Sequence, residues 1–419
     1  MTLMRQTIKV FETVEAVKLR KARTTPPCKP SHWIDEAGTR FKNPWPSFRP
    51  HDASDQFYII FQWNNRIPKV PGNVRELIPI RQPTWGAGSD DPSMMKATWL
   101  GHASVLLELP CRSQLSTDTS RSSVPSRGIR ILFDPIFSDY PSPVQCGPLK
   151  RYSPPPCQVT DVPEIDAVII SHDHYDHLDA NTIRSLMSRN PKPHVFAPAG
   201  TKDIFTSMGV PSDRCHILDW WDTRRLSVEL PARGNDDDQA STPLQVDITC
   251  TPSQHNSGRA FMDRFFNAKT LWSSWAVEEV FDAEGSTSES NPGKRTVGKK
   301  AYFAGDTGYQ SILQGQEYPP CPVFKEIGER FGGFDLAMIP IGAYRGTRYM
   351  SPVHCSPWDS VRVFQDVKAK KALAVHWGTW ILSEEEVDQP PKDLKTACTD
   401  AGIEEGSFVV CDMGETPFF

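Results

Sequence analysis

The segment Ser171-His172-Asp173-His174-Tyr175-Asp176-His177-Leu178-Asp179 gathers imidazole and carboxylate groups at the end of a hydrophobic run. In extended backbone, residues two apart share a side, so His172 and His174 can converge on one ion. A turn after them would present Asp176 and His177 to a neighbouring ion. Imidazole nitrogen and carboxylate oxygen are the ligands that a zinc-type cation takes. With 11 histidines in 419 residues, three at fixed spacing arise by accident in roughly 0.7% of chains this long, before any aspartate is required. A polar turn with surface histidines is the bland alternative. Its weight falls because His255 ends TCTPSQH, Asp306 ends YFAGDTGY and His376 ends ALAVHWG. Each follows a buried-looking run, and loops at sheet ends habitually carry sites.

The elements that must position these groups are mostly strands. ATWLGHASVLLEL (97–109) reads as one strand-like run, and GIRILFDPIF (128–137) follows a polar loop at 112–127. IDAVIIS (165–171) is apolar at consecutive positions from Ala167 to Ile170, as a strand covered on both faces must be. HVFAPAG, LQVDITCTPSQH, LWSSWAVEEVF, KKAYFAGDTG, FDLAMIPIGAY and KKALAVHWG continue the strand signals, with helical patterns near 180–189, 200–209 and 357–367. Residues 1–95 are rich in proline and aromatics (Trp33, Trp45, Phe48, Phe57, Tyr58, Phe61, Trp63, Trp85) and lack periodicity. They read as an arm packed on a catalytic domain spanning 96–419. The stretches 233–242 and 282–295 read as polar surface insertions. Strands with interspersed helices fit a layered α/β domain of two sheets.

Composition narrows the function classes. The net charge of −5 gives no support to nucleic-acid binding. No apolar run approaches the roughly 20 residues needed to cross a bilayer. The N-terminal stretch lacks the apolar core of a secretory signal, and the ten cysteines form no CxxC pair, so reduced thiols inside the cell are expected. The basic residues of that stretch leave a mitochondrial address open, although Glu12 and Glu15 argue against it. Neither GxSxG nor a cysteine-nucleophile signature occurs.

HxHxDH, a later His, an Asp in GDTG and a final His resemble the metallo-β-lactamase superfamily. Within it the chain is most similar to the phospholipases D that hydrolyse N-acylphosphatidylethanolamine. FKNPWPSF (41–48), TWLGHASVLLEL, ILFDPIFS, TPSQH, LWSSWAV, YFAGDTGY, IPIGAY and AVHWGTW carry that likeness. The resemblance implies an αββα four-layer sandwich with an irregular N-terminal arm and two divalent metal ions between the sheet edges. Carried over by motif, His172, His174 and His255 would hold the first ion and Asp176, His177 and His376 the second. Asp306 would bridge them and serve catalysis, and Asp134 would support the ligand loop from behind. Asn256 departs from the pattern, where a bulkier aromatic is expected.

Two ions about 3.5–4 Å apart serve hydrolysis directly, by ionising a shared water and by neutralising charge on the group attacked. Zinc suits such histidine-rich sites, and iron or manganese would suit the carboxylates. Tyr175 could hydrogen-bond a substrate oxygen, though packing explains it equally well. His354, in SPVHCSPW, lies in a stretch resembling the family's substrate side and would donate to the phosphate. Asp173 and Asp179 read as residues of a solvated loop. The resemblance further implies a phospholipid substrate carrying an N-acylated ethanolamine, a peripheral membrane surface as partner, and a dimer. A metallo-hydrolase of the same scaffold acting on a lactone, an amide or a soluble phosphodiester is the alternative. A metal-binding scaffold without catalysis is a more distant one.

Overall fold

The computed structural model describes residues 6–13, 29–52, 54–55, 57, 66–89, 91–111, 125–231, 243–259, 268–281 and 296–419. The aromatic stretch 261–267, together with Tyr58, Phe61 and Trp63, lies outside them. So do residues 112–124 and the insertions 233–242 and 282–295.

Among the described residues, fourteen strands form two sheets. In chain order they are β1 (Thr7–Glu12), β2 (Lys96–Gly101), β3 (Ser104–Glu108), β4 (Arg130–Phe133), β5 (Ala167–Ile169), β6 (His194–Pro198), β7 (Cys215–Leu218), β8 (Thr223–Glu229), β9 (Leu244–Thr251), β10 (Ser274–Phe281), β11 (Thr296–Phe303), β12 (Phe334–Pro340), β13 (Ala369–Val375) and β14 (Phe408–Val409). The six-stranded sheet runs β2-β3-β4-β5-β6-β7, and the eight-stranded sheet runs β1-β8-β9-β10-β11-β12-β13-β14. Strands β4 to β7 pair in parallel, as do β11 to β14. Parallel strands need crossovers, and their loops therefore gather at one edge of each sheet.

Helices cover the outer faces: α1 (Ala180–Met187) and α2 (Lys202–Ser207) on the small sheet, α3 (Val323–Phe331), α4 (Pro357–Asp366) and α5 (Gln389–Asp400) on the large one. This is the αββα sandwich. Alternation explains why the central strands are apolar throughout. Ile131, Phe133, Ala167 and Ile169 enter the core between the sheets, whereas Leu132, Val168 and Ile170 pack with Ile183 and Leu186 of α1. Each face buries its own set. The sheets meet at contacts such as Phe133 on β4 with Phe303 on β11, ring centroids 4.8 Å apart.

The structure corrects the reading of 97–109 as a single run. Gly101 (φ 99°) and His102 (φ 50°) turn the chain back, and Lys96–Gly101 pairs with Ser104–Glu108 as a hairpin. The other edge of β2 is covered by the C-terminal segment, with backbone bonds joining Met95 to Phe419, Ala97 to Pro417 and Trp99 to Glu415. Two regular elements in the last hundred residues escape the sequence patterns. Helix α3 carries Phe324, Ile327 and Phe331 toward the sheet. Helix α5 buries only Pro390, Leu394 and Ala397, a stripe too narrow for a periodicity reading.

Replacing Phe133 by Ala opens a cavity between the sheets and is expected to cost about 3–5 kcal/mol. Phe133→Leu, which keeps most of the volume, should cost less than half as much. Urea unfolding followed by tryptophan fluorescence measures both.

Candidate metal centre

Three strands from parallel pairs, and β9, which is antiparallel to both its neighbours, deliver their polar ends to one place. Strand β5 runs into Ser171-His172, β9 into His255, β11 into Asp306 and β13 into His376. Three of the seven non-glycine residues with positive φ among those described lie here: His102 (50°), Asp134 (37°) and His376 (62°). Left-handed backbone costs a side-chain-bearing residue of order 1–3 kcal/mol and persists only where surrounding contacts fix it.

Of four groups of potential ligand atoms among the described residues, each with its members within 4.8 Å of one another, two hold most of the expected ligands. His172, His174 and His255 form one; His102, Asp176, His177 and His376 form the other. The Nε2 of His172 is 2.8 Å from Nδ1 of His174, and Nε2 of His255 is 3.4 Å from the same atom. Asp306 stands between the groups. Its Oδ1 is 3.0 Å from His376 Nε2, and its Oδ2 is 3.1 Å from His177 Nε2, 3.7 Å from His255 Nε2 and 4.0 Å from His172 Nε2. His354 also faces this carboxylate, with Nδ1 3.9 Å from Oδ2. All seven proposed ligands thus come together, and His354 joins them.

The donor set suits a cation. His177 Nε2, both ring nitrogens of His376 and Asp306 Oδ1 are buried and make no hydrogen bond, although His376 Nε2 is 3.0 Å from Oδ1 and His177 Nε2 is 3.1 Å from Oδ2 of Asp306. Buried polar atoms normally find partners, and nitrogens and oxygens that converge without sharing a hydrogen are arranged as ligands. Burial pushes the Asp306 carboxyl upward, but the imidazoles of His177 and His376 outweigh it and hold it well below its ordinary range. Asp176 behaves the same way, through His177 and His102. Burial drives His172 well below its usual value and His255 to about 4, leaving neutral rings with a lone pair to give. At His177, burial is overcome by Asp306 and Asp176, which raise its value and favour positive charge at that point.

Behind the ligands stands a framework of hydrogen bonds. Asp134, fully buried, accepts from Ser171 N (2.7 Å), Ser171 Oγ (2.5 Å) and His177 Nδ1 (2.7 Å). Ser171 Oγ also lies 2.9 Å from His172 Nδ1, and His255 Nδ1 donates to the Val353 carbonyl at 2.7 Å. Partners of this kind fix ring orientation at metal sites. Asp173 and Asp179 are buried rather than solvated, which corrects the loop reading. Asp173 accepts from Gly258 N (2.7 Å) and Thr270 Oγ1 (2.9 Å), tying the histidine loop to the loop after His255. Asp179 caps α1 and accepts from Ser138 N and Oγ at 3.0 Å, tying that loop to the segment after β4. Arg259 donates to the Asp173 and Leu178 carbonyls and stacks on Tyr175 at 4.4 Å.

A cavity of about 410 Å³ opens above the centre. His174, Asp176, His255, Asp306 and His354 form its floor, with Tyr175 and Asn256 beside them, and Pro141, Leu149, Ile381 and Leu382 line it higher up. His51 and Tyr349 complete the wall, stacked at 4.1 Å, and His51 Nε2 donates to the Tyr349 carbonyl. The arm therefore reaches the cavity. It is held there by Asn43 Nδ2 donating to the His255 carbonyl (2.7 Å) and by Asp55 accepting from Arg49 (2.6 Å) and Arg348 (2.8 Å). Sequence reasoning missed His51 and His102. For His102 the available signal is Gly101 inside an apolar run, which marks a bend; His51 carries none.

A family model described as the β-lactamase superfamily domain matches residues 129–377. The N-acyl-phosphatidylethanolamine-hydrolyzing phospholipase D 1 of Caenorhabditis elegans is 33% identical over 326 residues, which cover 76% of this chain and 74% of that one. The mitochondrial N-acyl-phosphatidylethanolamine-hydrolyzing phospholipase D of Saccharomyces cerevisiae is 30% identical over 400 residues, covering 91% and 75%. Among solved structures, an isothiocyanate hydrolase from Delia radicum gut bacteria superposes with a TM-score of 0.48 at 17% identity, over 78% of this chain and 99% of that one.

Asp134→Ala strands three buried donors. It should destabilise the protein by about 3–5 kcal/mol and lower metal affinity about 10–100-fold. Thermal unfolding together with elemental analysis of the purified variant reads both.

Proposed function

Because the chain belongs to the β-lactamase superfamily of metal-dependent hydrolases, we propose that it is a phosphodiesterase of phospholipase D type. Its substrate is N-acylphosphatidylethanolamine, and its products are an N-acylethanolamine and phosphatidic acid. The observation that carries this reading is a cavity with an imidazole and carboxylate floor and apolar residues above it, about 410 Å³ in volume. That volume suits a phosphorylated head group, while the acyl chains stay at the mouth beside Leu149, Ile381 and Leu382. The kinship with the nematode and yeast enzymes points to the same lipid class.

His172, His174 and His255 would hold one divalent ion, Asp176, His177 and His376 a second, and Asp306 would touch both. Zinc fits this mixture of nitrogen and oxygen donors, with iron or manganese as substitutes. Bound there, the paired cations supply a site of lowered water pKa and offset the negative charge of the phosphodiester. The chain's own groups do the rest. Asp134 and Ser171 keep His177 and His172 in their orientations. Water attacks phosphorus, and the bond from phosphorus to the ethanolamine oxygen breaks. The new oxygen stays with phosphatidic acid, and the proton lost by the attacking water passes by way of the His354 ring, which burial keeps neutral, to the leaving oxygen. Tyr175, fixed from one side by Arg259, hydrogen-bonds a phosphate oxygen.

No helix among the described residues is long and apolar enough to cross a membrane. The proposal is completed by peripheral attachment to an intracellular membrane, with mitochondrial surfaces included.

The test is mass spectrometry of products from N-acylphosphatidylethanolamine in mixed micelles, in ¹⁸O-labelled water, with and without a chelator. The expected result is metal-dependent release of N-acylethanolamine, with label in phosphatidic acid alone. Fatty acid release, or no turnover by metal-loaded protein on this lipid alongside turnover of a lactone, an amide or a soluble phosphodiester, overturns it. Asp306→Asn should reduce turnover at least about 1,000-fold and His354→Asn about 100-fold, the latter with its metals retained.

A further inference from the structure

His102 is not among the seven ligands proposed above, yet it is more tightly fixed than several of them. It sits in the hairpin turn between β2 and β3, is 1% exposed, and holds a left-handed backbone conformation. Its N–H donates to Thr379 Oγ1 at 2.8 Å. Its carbonyl accepts from His376 N and from Trp99 Nε1, both at 2.8 Å. The ring lies 4.1 Å from that of His376 and meets Trp380 edge-on at 5.0 Å. Backbone and ring are held from every side, and a strained residue held in this way is a candidate for function.

What the ring does follows from a contrast. Nε2 of His102 is 3.1 Å from Asp176 Oδ2 with hydrogen-bond geometry. Nε2 of His177 and of His376 lie 3.6 and 3.9 Å from the same oxygen, and neither makes a hydrogen bond. The last two are disposed as ligands converging on a point, while His102 points at the carboxylate itself. Asp176 needs such a partner, because its side chain borders the cavity and is 18% exposed, so packing does not enclose the carboxylate on that side.

We propose that His102 is a positioning residue, donating from Nε2 to Oδ2 of Asp176 and turning that carboxylate toward the ion shared with His177 and His376. The inference rests on the ligand assignment under Proposed function. Through its carbonyl, His102 also sets the backbone at His376, so one residue of the small sheet orients two ligands of the same ion.

Metal-free full-length protein, titrated with Zn²⁺ against a chromophoric chelator, tests this in the wild type and in His102→Gln, His102→Asn and His102→Leu, with folding checked by circular dichroism. A Gln amide nitrogen reaches the place of Nε2; the Asn amide stops short of it. One of two sites should weaken about 10–100-fold in the Leu and Asn variants, while Gln restores it to within a few-fold and the other site stays unchanged. Wild-type affinity at both sites in the Leu and Asn variants overturns the inference. Loss in the Gln variant equal to that in Asn, with an altered Co²⁺ absorption spectrum, also overturns it and makes His102 a ligand. If Leu fails to fold, Gln against Asn decides. Failure of the wild type to bind any ion condemns the ligand assignment itself, a separate outcome.

Discussion

A carboxylate sunk between two sheets cannot stay ionised without positive charge beside it. Asp306 is that carboxylate, with a side-chain exposure of 2% and imidazoles of His177, His376, His255, His172 and His354 within 4.0 Å of its oxygens. Of these rings His177 is the one held above its usual value and favouring the charge, and the rest of the site follows from supplying and orienting them all. They come from both sheets, since His172 and His177 follow β5 whereas His255, Asp306 and His376 follow β9, β11 and β13. Strands whose following loops leave at the same edge, whether paired in parallel or, like β9, antiparallel, are the arrangement that lets residues so distant in sequence meet.

The strands that carry the centre were legible because both their faces are buried. IDAVIIS is apolar at consecutive positions, and the structure divides it, Ala167 and Ile169 inward to one core, Val168 and Ile170 outward to another. The ligand candidates were legible because groups costly to bury stand directly after such runs. What escaped has a common physical reason. His102 interrupts an apolar run that remains apolar on both sides of it, so the reversal at Gly101 leaves hardly any mark in the pattern. Asp173 and Asp179 looked like solvent-facing charge, because polar character alone does not tell a solvated carboxylate from one satisfied by backbone N–H groups. Helix α5 shows the apolar sequence of a surface helix with only three residues turned inward.

The first segments of the chain show how a non-periodic stretch can be ordered. Residues 29–52 form almost no regular structure, yet their side chains bond where the centre needs support. Asn43 holds the His255 carbonyl, Ser47 Oγ donates to Gln254 Oε1 at 2.5 Å, and Arg49, with Asp55 just beyond this stretch, locks onto Arg348 in the turn that leads to His354. Such contacts follow from tertiary neighbours and leave no local signal. Thr7–Glu12, by contrast, joins the large sheet as an edge strand along β8.

That the imidazoles are drawn from two sheets has a mechanical meaning. A cation bound among them is a further cross-link between the halves of the sandwich, beside backbone bonds such as that from His376 N to the His102 carbonyl. Its binding free energy is spent partly on holding the halves together, by an amount that grows with the logarithm of the free ion concentration once that exceeds Kd. Extracting it relaxes the mouth first and leaves the apolar interior, where Phe133 meets Phe303, as the last part to part company. Preparations differing only in metal loading should accordingly differ in how far that rim breathes, which amide hydrogen exchange resolves segment by segment.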